Sequence, residues 1–185
     1  GPTSIVHYKA ADALELDGIF TLPPGREGKK VNIVVMPHGG PIGPYDRIRF
    51  DWWAQAFASR GYAVFQPNYR GSGGRGLAFR SAGYGQWGGK MLSDMSDGLA
   101  ALAAQGVVDP HRACVVGGSY GGYAAMAGIT VQHGLYRCAV SYGGVSDLKA
   151  FLGSSAMAGG SRTDEIRFWR AAMGVTGGGD APLDA

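Results

Sequence analysis

The segment Gly117-Gly118-Ser119-Tyr120-Gly121 directly follows the apolar run Ala113-Cys114-Val115-Val116. A buried strand thus delivers a serine onto a sharp turn that opens a helix, the pattern of a nucleophile elbow. Such a turn holds its serine in a strained conformation against neighbouring backbone, where side chains at the glycine positions would collide. Ser119 is therefore the first candidate nucleophile. Its activation needs an acid and a base placed after it in the chain, yet only one histidine, His133, follows.

The rest of the chain reads as strands alternating with helices. Ile5 to Lys9 and Leu16 to Leu22 predict two short strands, the second closed by Pro23-Pro24-Gly25, and together an antiparallel entry hairpin. Val31 to Met36 is a nearly continuous apolar run, as in a strand covered on both faces. Phe50, Trp53, Ala54, Phe57 and Ala58 recur at helical spacing, closed by Gly61. Tyr62 to Gln66 predicts a strand, Asn68 to Gly76 a long glycine-rich loop, and Leu92, Met95, Leu99 and Leu102 a second helix.

Val108-Asp109-Pro110 reads as a break before a strand at 113–116. A third helix follows from about Gly121 to His133, then a strand from Arg137 to Ser141. Asp164 to Met173 predicts one more amphipathic helix, and Thr176 to Pro182 an exposed loop. The order implies an α/β fold whose sheet is mostly parallel beyond its first strands and flanked by helices. A sheet ending near Val140 would leave a long apolar edge, so the expectation is that the last strands are lacking and that a missing segment or a second chain supplies them. An oligomer is compatible with this.

Composition narrows the function classes. The 33 glycines among 185 residues exceed the usual share of roughly 7% and fall at the ends of apolar runs, as many tight strand-to-helix turns require. A net charge of +3 from mixed signs offers no basic stripe for nucleic acid. No apolar stretch reaches the ~20 residues of a membrane span, so the chain reads as soluble, cytoplasmic or periplasmic. His7, His38, His111 and His133 are scattered with no metal-ligand spacing, and no metal or other cofactor is expected. Cys114 and Cys138 fall in predicted core strands and read as reduced, structural thiols.

Around Ser119, two backbone donors suggest themselves for a developing oxyanion. One is the N–H of Tyr120, the residue after the nucleophile; the other lies in His38-Gly39-Gly40-Pro41, where glycines let backbone approach a carbonyl oxygen. His38 reads as a histidine that holds this loop rather than as the base. His133 reads as a surface histidine near a helix end, and Arg70, which could touch a substrate carboxylate, reads rather as a pin from its loop to a buried carboxylate. Asp94 and Asp97 are expected on the polar side of their helix. Tyr45, Trp52, Trp53, Tyr84 and Trp87 are candidates for an apolar pocket, with Trp53 read as a core anchor and Tyr84 and Trp87 as freer to meet ligand. Gly71 to Gly76 lacks the lysine and the helix of a phosphate-binding loop.

Taken together, Leu16-Asp17-Gly18, His38-Gly39-Gly40-Pro41, Arg60 to Val64, Asn68 to Ser72, Gly117 to Tyr123 and Gly144 to Leu148 resemble, in order, the motifs of the prolyl oligopeptidase family of serine peptidases. The resemblance is nearest to its acylaminoacyl-peptidase-like and dipeptidyl-peptidase-like branches and runs over most of residues 12 to 152. It implies an α/β-hydrolase fold, Ser119 as nucleophile, Gly40 and Tyr120 as oxyanion donors, and cleavage of small peptides through an acyl-enzyme. It also implies that residues 1–185 are part of the peptidase catalytic domain without the family's β-propeller, and that the catalytic Asp and His lie beyond this sequence. A carboxylesterase uses the same elbow, and an incomplete fragment would act only as an interaction module; both readings stay open at this level.

Overall fold

The computed structural model describes residues 1–154 and 163–175. The elements in chain order are β1 (Thr3–Lys9), β2 (Glu15–Thr21), β3 (Val31–Val35), α1 (Trp52–Ser59), β4 (Ala63–Asn68), α2 (Gly76–Ser81), α3 (Lys90–Ala104), β5 (Val108–Gly118), α4 (Tyr120–Thr130), β6 (Cys138–Tyr142), α5 (Leu148–Gly153) and α6 (Thr163–Ala172). The strands form one six-stranded sheet in the order β1-β2-β4-β3-β5-β6. β1 and β2 pair antiparallel, as do β2 and β4, whereas β4, β3, β5 and β6 run parallel.

Side chains alternate across the sheet and so separate its two faces. Phe65 on β4 packs edge-on against Tyr8, and a Cβ on Gly98 of α3 would meet its ring. Val115 on β5 faces Gly128 of α4. The main core therefore lies on this face, where Ile33, Val35, Phe65 and Val115 meet Met91, Met95, Leu99, Leu102 and Ala124. Each large apolar side chain buried there contributes roughly 1.5–3 kcal/mol. The opposite face carries Val34, Val64 and Gln66. Asp51 caps α1 there by accepting from the Ala54 N–H at 2.9 Å, and its second oxygen accepts from Gln66 at 3.4 Å. α1 leaves β6 uncovered on that side: Val140 is 53% and Tyr142 62% exposed.

Several expectations need correction. Pro110 does not break the chain, because it sits inside β5, where the pairing register with β3 shifts between Val31 and Ile33. The segment 68–76 is not all loop: its last residue begins the short helix α2. Phe50 precedes α1 and is exposed, so the apolar stripe of that helix is shorter than its spacing implied. Asp94 is fully buried rather than on a polar face. Cys114 and Cys138 are not reduced thiols; they are directly opposed on β5 and β6, with Cα atoms 4.7 Å apart, and form a disulfide. The loop expected over Thr176 to Pro182 lies outside the described residues.

The buried Asp94 is explained by Arg70. The guanidinium donates to both Asp94 oxygens, at 2.7 and 2.8 Å, while the Arg70 backbone N–H donates to Asp94 Oδ2 at 2.9 Å. Its outer nitrogens also donate to Asp12, which Lys90 contacts at 2.8 Å. Burial raises the Asp94 pKa while the guanidinium opposes that shift. The network fixes the loop after β4 onto α3 and the β1–β2 turn.

Candidate active site

Ser119 lies between β5 and α4 at φ 54° and ψ −120°, a conformation that non-glycine residues rarely adopt. Its backbone is held on both sides, the N–H donating to the Tyr142 carbonyl at 3.2 Å and the carbonyl accepting from Tyr123 N–H at 3.0 Å. The glycines around it are required by close approach. A Cβ at Gly117 would strike the backbone of Gly121, and one at Gly121 would strike the Pro37 carbonyl. A Cβ at Gly122 would come within 2.7 Å of both Gly144 Cα and Ser141 Oγ. α4 can approach the strand ends only because these positions carry no side chain.

Tyr120 opens α4, so its N–H is one of the amides that have no acceptor inside the helix. Its ring is buried 4.8 Å from that of Trp87, and its hydroxyl donates to the Trp87 carbonyl at 2.9 Å. Burial pushes that phenol well above its ordinary pKa, so the ring is a neutral anchor that orients the amide. The 38–41 loop meets the serine through Gly39, whose Cβ would stand 3.4 Å from Ser119 Cβ and 3.9 Å from Oγ. Gly40 follows at φ 126°, where an L side chain would be strained and would hit Pro44. Its N–H has no hydrogen-bond acceptor among the described residues.

His38 holds that loop. Nε2 lies 2.9 Å from Ser72 Oγ, Nδ1 lies 2.8 Å from the Gly39 carbonyl, and the Tyr69 hydroxyl donates to the His38 carbonyl at 2.7 Å. The ring stacks on Tyr69 at 4.4 Å. Burial lowers its pKa to about 4, so it is a weak base near neutrality with both nitrogens engaged. Among the described residues no side chain hydrogen-bonds Ser119 Oγ. Asp147 caps α5 through the Ala150 N–H at 2.8 Å, and His133 is exposed after α4.

Ser119 borders a cleft of about 440 Å³, whose walls include Met36, Pro37, His38, Gly39, Asp46, Asp51, Trp53, Gln66, Val116 and Tyr142. Trp53, expected in the core, is 39% exposed and stacks on Tyr142 at 6.1 Å to form an aromatic wall. Trp87, expected to be free, is buried against Tyr120 and Tyr123. Tyr45, Trp52, Tyr84 and Trp87 do not border the cleft. Sequence reasoning missed Asp46, Asp51, Gln66 and Tyr142. The alternation of Val140 with Tyr142 was the available signal for the last of these.

A mostly parallel sheet with helices on both faces, whose strand β5 ends in a strained serine beside a glycine loop, defines an α/β-hydrolase. Residues 48–170 match the Prolyl oligopeptidase family, and the chain belongs to that family. It is 38% identical over 154 residues to Dipeptidyl aminopeptidase BIII of Pseudoxanthomonas mexicana, which covers 80% of this chain and 22% of that protein. A puromycin-hydrolyzing peptidase of Mycobacterium tuberculosis superposes with a TM-score of 0.82 at 31% identity, covering 94% of this chain and 26% of the other. An acylaminoacyl peptidase of Pyrococcus horikoshii superposes with a TM-score of 0.81 at 29% identity, covering 100% of this chain and 28% of the other. The chain thus spans about a quarter of the length of these relatives.

Proposed function

We propose that residues 1–185 are part of the catalytic domain of a serine peptidase, and that the intact protein cleaves small peptides through an acyl-enzyme on Ser119. The observation that carries this reading is the strained Ser119 at the edge of a cleft, in a chain of this family. In the proposed reaction Ser119 Oγ attacks the scissile carbonyl while its proton passes to a histidine base. The tetrahedral oxyanion rests on the N–H groups of Gly40 and Tyr120. Collapse expels the amine, which takes the proton from the imidazolium, and water then releases the acid. The burial and low pKa of His38 argue against it as that base, and His7, His111 and His133 do not border the cleft, so a histidine outside the described residues fills the role. Each oxyanion donor contributes about 3 kcal/mol of transition-state stabilisation.

The relatives named above are a dipeptidyl aminopeptidase, a puromycin-hydrolyzing peptidase and an acylaminoacyl peptidase, and short peptides and amides with a free or an acylated amino terminus are the substrate class to try first. The test is a fluorophosphonate probe on the full-length protein, with intact mass and peptide mapping. A single adduct on Ser119, absent in Ser119→Ala, is expected together with a loss of peptide turnover of about 10⁴-fold or more. Turnover that survives the substitution would overturn the assignment.

A further inference from the structure

The cleft beside Ser119 contains two carboxylates in very different circumstances. Both oxygens of Asp51 are used, one by the Ala54 N–H at 2.9 Å and one by Gln66 Nε2 at 3.4 Å. Asp46 is 9% exposed, and its carboxylate accepts no hydrogen bond and joins no ion pair among the described residues. It is not a wandering surface group. Its backbone N–H donates to Asn68 Oδ1 at 2.8 Å and its carbonyl accepts from Asn68 Nδ2 at 2.9 Å, so the chain is pinned at this residue from both sides.

A buried carboxylate with no partner is costly, and native proteins ordinarily pair such a group or hydrogen-bond it. Here burial, reinforced by the nearby charge of Asp51, pushes the Asp46 carboxyl up to about 6, with Arg49 opposing the shift from a distance. The arginines beside it do not satisfy it: Arg47 lies over the Tyr45 ring, and Arg49 makes no ion pair among the described residues. Among the described residues Asp46 faces no partner, and the side left open to it is the cleft, which Asp46 and Ser119 both border and which Trp53 and Tyr142 wall with aromatic surface.

We propose that Asp46 is a specificity residue that receives a positively charged group of the substrate, an α-ammonium or a lysine or arginine side chain, while the reacting carbonyl lies at Ser119. This rests on the peptidase reading above and deepens it. The cation supplies the partner and the aromatic wall covers the apolar part of the same substrate residue, so recognition replaces the little water that reaches a largely buried carboxylate with an opposite charge.

The test uses the full-length protein carrying Ser119→Ala, so that it needs no turnover. Calorimetric titration compares short peptides in matched pairs, free amine against N-acetylated and lysine against norleucine. One member of a pair should bind about 30-fold more tightly, the scale of a buried charge pair, and the pair that discriminates identifies which cation is read. Asp46→Asn in the same background should abolish the difference, and Asp46→Glu should keep most of it. Equal binding of all the peptides, no binding of any, or a preference that survives Asp46→Asn would each overturn the proposal. The first two require no folded Asp46 variant. Absence of a fluorophosphonate adduct on wild-type protein would instead count against the peptidase reading, while the binding comparison still decides the role of Asp46.

Discussion

At the scale of single residues, the site depends on what is absent as much as on what is present. A methyl group at Gly117 has no space, because the backbone of Gly121 occupies it. Gly117→Ala should cost about 1–3 kcal/mol by overpacking and should also lower the rate of fluorophosphonate labelling, since the elbow must shift to admit it. Denaturant unfolding and labelling kinetics on the same sample check both, and unchanged labelling would mean that the elbow tolerates displacement. A second prediction concerns pH. The folded-state pKa of Asp46, about 6, lies above its ordinary 3.8, so the folded protein holds an extra proton between these values and this group's contribution is lost as pH rises through 6. His38 behaves oppositely: its pKa falls from 6.5 to about 4, so stability is lost as pH drops through that window. The two effects oppose each other between pH 4 and 6. Asp46→Asn removes only the first, so its stability relative to wild type should grow by on the order of 2 kcal/mol from pH 4 to 6.5, measured by urea unfolding at both values. Of these residues, Ser119 and the glycines were legible because strand, turn and helix signals converge on them. Asp46 was not, because only tertiary structure shows that its carboxylate is largely buried at the cleft and without a partner among the described residues.

At the scale of elements, the parallel strands and the helices α1, α3 and α4 were legible from apolar runs and helical spacing. Connections between elements were less so. Arg70 reads as a pin from the sequence, but its partner Asp94 interrupts the apolar stripe of α3, and only the packing of the loop after β4 against that helix shows why a carboxylate is buried there. Asp94→Ala would leave a nearly buried guanidinium without its principal partner and should cost about 3–5 kcal/mol; Asp12→Ala should cost distinctly less, since that carboxylate is one-third exposed. Thermal or denaturant unfolding orders the two, and equal losses would show that the network is not centred on Asp94. The Cys114–Cys138 pairing escaped the sequence for a similar reason. Cross-strand register determines that the two positions oppose each other, whereas local pattern shows only two small apolar side chains in strands.

At the scale of the whole molecule, the two faces of the sheet are unequally covered. α3 and α4 bury one face, while on the other α1 stops short of β6, where Val140 and Tyr142 are open to solvent and continue the aromatic surface of Trp53. β6 is also an edge strand among the described residues, hydrogen-bonded to β5 on one side only. The apolar edge anticipated near Val140 is therefore present, and its exposure follows from topology rather than from any unusual composition of the strand. An edge that combines unpaired backbone groups with exposed branched and aromatic side chains is a template for another strand. The 185-residue chain on its own should consequently self-associate with rising concentration through this edge. Val140→Lys places a charge in the middle of β6, where a second strand would have to bury it, and should shift the population toward monomer without changing the fold, because position 140 is already more than half exposed. Sedimentation velocity over a concentration series, with circular dichroism to verify the fold, distinguishes the outcomes. Loss of association in the lysine variant assigns the contact to β6. Association that persists unchanged would place it elsewhere, with the exposed Phe50 and Trp52 ahead of and at the start of α1 as the next surface to charge.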